Sequence, residues 1–354
     1  MAYVPPSDDQ HHEIILSDLL CSPCHGTELA FTQNSAVCCQ CGHSFTSDDG
    51  IWQMFWPHDG YDKLGDVTAK VKAFYDQTPF PNYDDHDSLR SLLDKARRGV
   101  YARALDQSIP YNSTVLEVGC GTGQLTNFLG AGFRRVIGTD LCLNSLRLGE
   151  RFRRQNGLHR VRFVQMNLFR SCMKPAQFDV VLCNGVLHHT ANPFRGYEGL
   201  LPFLKPGGHI VIGLYNRYGR LMTDLRRQAF RLIGNRASWI DPLLRNKERS
   251  GPQTRAWFAD QYCHPHESKH TIGEVLQWFE ASGIEFVRGV PSVIPAPTRL
   301  DGISLFMPEP QGTALDHFLV QSREMINGSR EGGFFIMIGR KPEKPSRSGN
   351  GSCP

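Results

Sequence analysis

Three glycines follow a short apolar run in the middle of this chain of 354 residues. Residues 115–123 read VLEVGCGTG, so that Gly119, Gly121 and Gly123 alternate after the acid Glu117. Glycine reaches left-handed backbone dihedrals and leaves no Cβ between the backbone and a ligand. The apolar residues that come next have helical spacing, which predicts a strand, a tight loop and the start of a helix. This arrangement is typical of a site for a nucleotide-type ligand.

Glycine spacing and charge narrow the class of ligand. A dinucleotide fingerprint reads G-x-G-x-x-G, and Gln124 stands where its last glycine would be. A P-loop requires Lys followed by Ser or Thr after its final glycine, whereas Gln124 is followed by Leu125. Glu117 would repel a pyrophosphate and suits a cationic ligand instead.

Three further β-type runs and one turn follow in sequence. They are residues 135–140 (RVIGTD), 161–167 (VRFVQMN), 178–189 (FDVVLCNGVLHH) and 204–208 (LKPGG). The first run ends in Asp140, about 20 residues beyond the glycines, where an acid accepts hydrogen bonds from ribose hydroxyls. The second run ends in the polar residue Asn167, and the third becomes polar at Asn184.

In this order the glycine loop, the runs and the LKPGG turn resemble the motifs of class I S-adenosylmethionine-dependent methyltransferases of type 11/12. The resemblance covers residues 113–215. It implies an α/β, Rossmann-like fold whose seven-stranded, mainly parallel sheet has helices on both faces. It also implies S-adenosylmethionine as the cofactor and methyl transfer as the activity.

The resemblance assigns cofactor binding residue by residue, but it assigns no catalytic residue. The cofactor-binding set is Glu117, Gly119, Gly121, Gly123, Asp140, Asn167, Leu168 and Asn184. Asn167 departs from the family, which usually has an acid here, although an amide carbonyl can still accept a hydrogen bond from the adenine amino group. Asn184 would lie beside the methionine part of the cofactor.

Two cysteine pairs near the N-terminus share one spacing. Cys21 and Cys24 are separated by two residues, as are Cys38 and Cys41, with Cys39 as an extra thiol. Two such knuckles joined by a short hairpin place four thiolates around a structural zinc ion. A segment this short buries too little apolar surface to fold without a staple, which disfavours four free cysteines, and the second knuckle disfavours a redox pair.

Residues 19–54 resemble the small zinc-ribbon domains of the methyltransferase-activator family. We therefore predict a zinc ribbon at 12–56, a linker at 60–66, a methyltransferase domain at 67–341 with an insertion at 215–271, and a disordered tail at 342–354. The start of the chain lacks the pattern of a signal peptide, and no apolar run approaches the ~20 residues of a membrane span. With eleven cysteines and no sign of a disulfide scaffold, the chain is predicted to be cytoplasmic.

Several segments are candidates for the acceptor side. Residues 71–83 are rich in aromatic residues and proline, which predicts either a lid over the cofactor or a clamp that ties the ribbon to the main domain. A helix is predicted over 89–105 and another over 272–281. Strands six and seven are predicted at 284–290 and 333–339 as an antiparallel pair.

Positive charge is concentrated in the predicted insertion. The window 215–255 holds ten basic and three acidic residues, a net charge of +7, although the whole chain carries only +4. Such a segment suits RNA, whose bases Tyr215, Tyr218 and Trp257 could stack on, an acidic protein or a phosphorylated small molecule. The commoner reading of a charge run, and the one we favour, is a solvated helix face.

Histidines occur in two groups. His188 and His189 follow the 178–184 strand, where one could act as a general base or both could cap the next helix, and we favour the cap. His264, His266 and His270, with Glu267, form either a metal site or, as we favour, a loop that lines the acceptor pocket.

Methyl transfer to a small-molecule acceptor is the function that the sequence favours. Methylation of RNA or protein, with the basic insertion and the ribbon as the binding surface, is the alternative. A non-catalytic scaffold that binds the cofactor only for stability is a third reading, which the intact glycine loop and Asp140 oppose.

Overall fold

A computed structural model describes residues 14, 16–61, 63, 65–80, 83, 87–233, 262, 264–295, 304–327 and 333–343. Its central feature is one continuous sheet of eleven strands with helices packed against it. Within the described residues, no helix has both the length and the apolar character needed to cross a bilayer. Of the predicted insertion, residues 234–261 and 263 lie outside this description, as does the predicted tail from residue 344.

Seven strands form the main part of the sheet. They are β5 Thr114–Val118, β6 Arg135–Asp140, β7 Val161–Gln165, β8 Phe178–Asn184, β9 Leu204–Tyr215, β10 Glu285–Val290 and β11 Phe334–Arg340. Their order across the sheet is β7-β6-β5-β8-β9-β11-β10. The first five are parallel, and β11 runs antiparallel to both β9 and β10. The predicted seven-stranded, mainly parallel sheet is therefore confirmed.

Four short strands from the N-terminal segment extend this sheet at one edge. They are β1 Leu29–Phe31, β2 Ser35–Cys38, β3 Ser44–Asp48 and β4 Ile51–Gln53. Neighbours within this group are antiparallel, but β4 pairs with β7 in parallel, with Trp52 opposite Val164. The ribbon thus covers an edge strand that would otherwise expose unpaired backbone groups. The domain boundaries 12–56 and 67–341 stay a prediction.

Ten α-helices are described. They are α1 Leu16–Leu19, α2 Thr68–Gln77, α3 Leu89–Arg98, α4 Val100–Ser108, α5 Gln124–Ala131, α6 Leu143–Gln155, α7 Pro193–Glu198, α8 Leu221–Ile233, α9 Ile272–Ala281 and α10 Ala314–Asn327. The single helix expected over 89–105 is instead two helices. Gly99, with an extended backbone (φ −74°, ψ 117°), ends α3 and precedes α4. Extended dihedrals cannot continue an α-helix, so the chain turns there.

Alternation along the strands produces one hydrophobic core on each face of the sheet. All five residues of β5 are buried, yet its neighbouring residues Val115 and Leu116 belong to different clusters. Successive side chains of a strand point to opposite faces, and a parallel sheet covered on both faces reads as a continuous apolar run. The VLEV sequence of β5 thus fixes it as a central strand.

Candidate functional site

A cavity of about 670 Å³ lies at the carboxyl ends of the parallel strands. Ligands bind at this edge of open α/β sheets, and the volume is in the range of small-molecule sites. One part of its lining, the glycine wall, consists of residues 117–121, 124–125, 139–142, 166–168 and 184–186. Another part, the histidine wall, consists of Tyr75, His189, Thr190, Tyr215 and Phe334.

The glycine wall begins with the loop between β5 and α5. Gly119, Gly121 and Gly123 all have positive φ, at 71°, 55° and 71°. A Cβ on Gly119 would lie 2.1 Å from Cγ2 of Val186, and one on Gly123 would lie 2.4 Å from the Phe163 ring. Any side chain at either position would collide with its surroundings. These two glycines are therefore required both by the backbone conformation and by packing.

Asp140 stands at the end of β6 and lines the cavity. Its Oδ2 accepts a hydrogen bond from the Gly121 N–H (2.9 Å), and its Oδ1 accepts one from the Cys142 N–H (2.8 Å). Burial raises the pKa of the carboxyl, although backbone N–H groups lower it. Each oxygen of a carboxylate retains a further acceptor position, so Asp140 is held in a fixed orientation from which it can bind a diol.

Glu117 is buried behind the glycine loop. Its Oε2 accepts a hydrogen bond from the Thr126 hydroxyl. Burial raises the pKa of Glu117 to about 7, with a further rise from the charge of Asp140 and an opposing effect of the Thr126 hydroxyl. A cation bound in the cavity would favour the ionised form and lower this pKa.

Asn167 connects the cavity to the ribbon segment. Its Nδ2 donates to the Trp56 carbonyl (2.9 Å), and its Oδ1 accepts from the Phe169 N–H (3.1 Å). Trp56 packs on His43 of the ribbon, with 4.9 Å between the ring centroids. Asn167 therefore fixes the loop that carries the cavity-lining Leu168 and attaches it to the N-terminal module.

Asn184, at the end of β8, lines the cavity. Its Nδ2 donates to the Tyr101 hydroxyl (3.2 Å). Its Oδ1 is buried and has no hydrogen-bond partner among the described residues. A buried polar atom without a partner is costly, so this oxygen is a position where a ligand N–H would bind favourably.

The predicted lid forms part of the cavity lining. Helix α2 contributes Thr68, Val71, Lys72 and Tyr75, and Phe80 follows from the same segment. Lys72 is ion-paired with Asp76 (2.7 Å), and the Cys142 thiol lies 3.0 Å from Oδ1 of Asp76. The pre-strand segment thus contacts the glycine wall directly.

The two adjacent histidines have different surroundings. Both lie in a 3-10 helix, Leu187–His189, directly after β8. His188 is fully buried, and neither ring nitrogen has a partner among the described residues. Burial is the main cause that holds the pKa of His188 well below its usual range, and the charge of the neighbouring His189 is the next. Neither histidine caps the next helix, because the N-cap of α7 is Asn192, whose side chain accepts from the Arg195 N–H (3.0 Å).

His189 faces the cavity and is held by the loop at 264–270. Its Nδ1 lies 2.8 Å from the His266 carbonyl, and its ring packs on that of His264 with centroids 3.6 Å apart. Burial lowers the pKa of His189 to about 4, opposed by the hydrogen bond to His266. The ring is therefore neutral at pH 7.

A buried ion-pair network holds the same loop. Glu267 accepts from Arg220 (2.6 Å) and from Arg227 (3.0 Å), and the Arg220 and Glu267 side chains are 0% and 3% exposed. These two arginines belong to the basic window, so part of its positive charge is neutralised inside the protein. Within the described residues, the 264–270 loop forms no cluster with the spacing of a metal site. It supports the histidine wall from behind and is not part of the cavity lining.

A metal-binding cluster lies in the ribbon. The ligand atoms of Cys24, His25, Cys38 and Cys41 are all within 4.8 Å of one another. The Cys24 and Cys41 sulfurs are 3.7 Å apart, as are the Cys38 sulfur and Nδ1 of His25. Tetrahedral zinc with Zn–S bonds of about 2.3 Å requires ligand separations of about 3.8 Å, so these four side chains fit zinc.

The environment of Cys38 also suits a metal-bound thiolate. Burial raises its pKa, but hydrogen bonds from the Ser22 and Thr27 hydroxyls and from backbone N–H groups of Cys41 and Gln40 outweigh that effect and lower it to about 5. Thiolate sulfur is the form that binds zinc.

Cys21 does not belong to this cluster. Its N–H donates to the Cys172 carbonyl (2.8 Å), and burial raises the pKa of its thiol. Three of the four predicted cysteines, Cys24, Cys38 and Cys41, thus lie together with His25, whereas Cys21 lies apart from them. The adjacency of His25 to Cys24 was the available signal. Trp56 and Tyr101, which orient Asn167 and Asn184, carried no such signal because they lie far away in sequence.

Comparisons with known proteins agree with this geometry. Residues 116–210 match the Methyltransf_12 family model, described as a methyltransferase domain. A Synechococcus protein described as uncharacterized is 29% identical over 251 residues, which are 62% of this chain and 60% of the relative. The ubiquinone biosynthesis O-methyltransferase of Leptothrix cholodnii is 30% identical over 104 residues, 29% of this chain and 44% of that enzyme. The chain thus spans about half the length of these curated relatives.

A solved structure supports the same fold. PKMT2 from Rickettsia typhi in complex with AdoHcy has a TM-score of 0.51 and 14% sequence identity, and the alignment covers 75% of this chain and 55% of that one. At this identity the likeness concerns the fold alone. The resemblance drawn from the motifs is confirmed: residues 116–210 match a methyltransferase-domain model, and the fold is shared with a solved structure in complex with AdoHcy.

Proposed function

We propose that this protein transfers a methyl group from S-adenosylmethionine to a small-molecule acceptor. The observation that carries the proposal is the orphaned Oδ1 of Asn184, placed with Asp140 and Glu117 around one cavity. These groups offer an acceptor for an ammonium, a carboxylate for a diol and a negative charge for a cation. A ligand with adenosine, sulfonium and amino-acid parts needs all three.

The chain's own residues supply position rather than covalent chemistry. When bound, S-adenosylmethionine provides an electrophilic methyl group on a positively charged sulfur. Asp140 would hold the ribose, the loop at 167–168 the adenine, and Asn184 the ammonium of the methionine part. The reaction then depends on aligning the acceptor with the sulfur–methyl bond, which orientation can accelerate strongly.

A small acceptor fits the shape of the site. The cavity is bordered by α2 and by the aromatic rings of the histidine wall, and its lining is mainly apolar. The name of the Leptothrix cholodnii relative, an O-methyltransferase of ubiquinone biosynthesis, is in keeping with such an acceptor.

RNA or protein methylation depends on the basic insertion. Arg220 and Arg227 are committed to Glu267 within the protein, so they do not contribute to a phosphate-binding surface. The basic residues at 236–255 lie outside the described residues. Two of the described basic residues of the insertion are therefore not available to this alternative.

Calorimetry with S-adenosylhomocysteine tests the donor half of the proposal. We expect saturable binding of one molecule per chain by the zinc-loaded protein, and absence of binding would overturn the proposal. Two parallel measurements separate the acceptor classes. One is transfer of labelled methyl to a panel of metabolites, and the other is binding and methylation of tRNA at increasing salt. Binding of tRNA that weakens steeply with salt, together with its methylation, would replace the small-molecule reading.

We also propose a structural zinc ion held by Cys24, His25, Cys38 and Cys41. The proposal differs from the sequence-based set, which has Cys21 in place of His25. Zinc bound there would fix the ribbon strands, and through Trp56 the loop at Asn167.

Metal analysis of single variants tests this ligand set. We expect His25→Ala and Cys41→Ser to lower the zinc content after dialysis against a weak chelator, whereas Cys21→Ser retains one zinc per chain. Zinc loss from Cys21→Ser with retention in His25→Ala would restore the four-cysteine set.

A further inference from the structure

We propose that His189 is the general base of the transfer and that the acceptor is therefore a hydroxyl, of the phenolic class. This inference rests on the proposed methyl transfer. It assigns a catalytic residue to a site whose motifs name none.

The tautomer of His189 is set by its neighbour. A backbone carbonyl only accepts hydrogen bonds, so the contact of Nδ1 with the His266 carbonyl at 2.8 Å requires the proton on Nδ1. The lone pair of the neutral ring is then on Nε2. Nε2 has no hydrogen-bond partner among the described residues and is not fully buried. His189 itself lines the cavity. The basic nitrogen therefore faces the space for the acceptor.

The orientation of the ring is held from several sides. His264 stacks on it, and the Tyr75 and Tyr215 rings lie edge-on at 6.4 and 6.2 Å. Glu267, next to His266 in the chain, is bound by the buried Arg220 and Arg227. The carbonyl that fixes the tautomer thus belongs to a loop that is held by a buried ion pair.

The four charged residues of the cavity lining are already engaged. Lys72 is paired with Asp76 and Lys95 with Asp87. Glu117 accepts from Thr126, and Asp140 accepts from two backbone N–H groups. His189 is the group whose free lone pair adjoins the aromatic rings of the histidine wall.

The residues that line the cavity also favour a hydroxyl acceptor over an amine acceptor. Alkyl amines are protonated at neutral pH, and a site for one would be expected to offer a carboxylate at the acceptor position. The only carboxylates in the described lining, Glu117 and Asp140, belong to the glycine wall. Aromatic rings at Tyr75, Tyr215 and Phe334 instead suit a flat phenolic acceptor.

The proposed step balances as follows. The acceptor oxygen forms a bond to the methyl carbon, the carbon–sulfur bond breaks with its electron pair remaining on sulfur, and the hydroxyl proton passes to Nε2 of His189. The positive charge of the sulfonium is thereby replaced by that of the imidazolium, which loses its proton to solvent after release.

The test uses dopamine as the probe, because it carries both catechol hydroxyls and a primary amine. Transfer of labelled methyl is compared between the wild type, His189→Asn, His189→Gln and a remote control, His317→Asn. Asparagine can retain a donor to the His266 carbonyl but has no basic nitrogen. We expect O-methyl product from the wild type and the control, and a kcat lower by about 10²- to 10⁴-fold in both His189 variants.

Two readouts separate a base from a structural residue. The deficit of the His189 variants narrows as pH rises towards about 10, where a phenol ionises without help. In ¹⁵N-histidine NMR spectra, His189 has the proton on Nδ1. Titratable or charged groups that face the ring and enter this pH analysis are His188, Tyr75, His264, His266, Tyr215, Arg220 and Glu267.

Failure of this inference is distinct from failure of the proposed function. Affinity for S-adenosylhomocysteine stays within threefold in all variants if His189 serves the acceptor only. Wild-type kcat in His189→Asn, a deficit equal at all pH values, or N-methyl product alone would overturn the assignment while methyl transfer stands. Loss of S-adenosylhomocysteine binding by the wild type would instead overturn the proposed function itself.

Discussion

The two walls of the cavity are built in opposite ways. The glycine wall consists of strand ends and one loop, and its shape is set by backbone atoms and by the positive-φ glycines of the loop between β5 and α5. The histidine wall is built from side chains of α2, the 3-10 helix, β9 and β11, and it is held by a loop that begins 75 residues after His189, at His264.

This difference separates the two halves of the proposed reaction. Backbone geometry near one motif suits a ligand that does not vary, the methyl donor. Side chains drawn from distant segments can change without altering the sheet, which suits recognition of a particular acceptor. Breaking each wall should therefore have different consequences.

The largest effect is expected at the support of the histidine wall. Glu267→Ala removes the buried carboxylate that binds both Arg220 and Arg227, which lowers the free energy of unfolding by about 3–5 kcal/mol. Chemical denaturation measures this loss. Asp48→Ala, which breaks an exposed pair with Arg147 (3.1 Å), serves as the control and should cost at most about 1 kcal/mol. Equal losses in the two variants would show that the buried pair does not hold the wall.

The next effect concerns the glycine wall alone. Asp140→Ala removes the carboxylate that orders Gly121 and Cys142, and we expect affinity for S-adenosylhomocysteine to fall by about 100-fold or more, since hydrogen bonds to charged groups are worth about 1.5–3 kcal/mol each. Calorimetry measures the change. Asp140→Asn, which retains an acceptor, should lose less. An unchanged affinity would mean that the ribose is bound elsewhere.

A smaller effect is expected at Asn184. Asn184→Leu keeps a similar volume but removes the orphaned Oδ1, and it should weaken S-adenosylhomocysteine binding by roughly tenfold. Methylthioadenosine, which lacks the amino-acid part, provides the matched comparison by calorimetry. Its affinity should be insensitive to the substitution, and an equal loss for both ligands would contradict the assignment of Oδ1 to the ammonium.

The smallest effect is a pH dependence of donor binding. Because the pKa of Glu117 in the free protein is about 7, the side chain is mostly neutral at pH 6 and mostly ionised at pH 8. A cationic ligand prefers the ionised form, so affinity for S-adenosylmethionine should rise several-fold from pH 6 to pH 8 and then level off. Glu117→Gln should flatten this dependence, whereas a rise that persists in the variant would assign it to another group.

The glycine wall could be predicted from the sequence better than the histidine wall, because its residues lie near one motif whereas those of the histidine wall come from distant segments. The order of strands β5 to β11 and the cluster around the glycine loop follow from motifs that are local in the chain. His189 was seen in the sequence, but its tautomer depends on the His266 carbonyl, and a contact between residues so far apart cannot be read from spacing.

The ribbon shows a second limit of spacing arguments. Repetition of the two-residue spacing indicated Cys21 as a ligand, yet the fold places Cys21 beside Cys172 and His25 in the cluster. Likewise, the pairing of β4 with β7 depends on the free edge of the main sheet. It cannot be predicted from the local pattern of residues 51–53. The break in the predicted 89–105 helix, by contrast, coincides with a glycine that is visible in the sequence, Gly99.

A crystal structure of the protein with S-adenosylhomocysteine tests the central claim that one cavity joins both walls. We expect the ribose on Asp140, the ammonium on Oδ1 of Asn184 and the thioether sulfur directed towards the ring of His189. A ligand bound outside the glycine wall, or a sulfur directed away from His189, would contradict it.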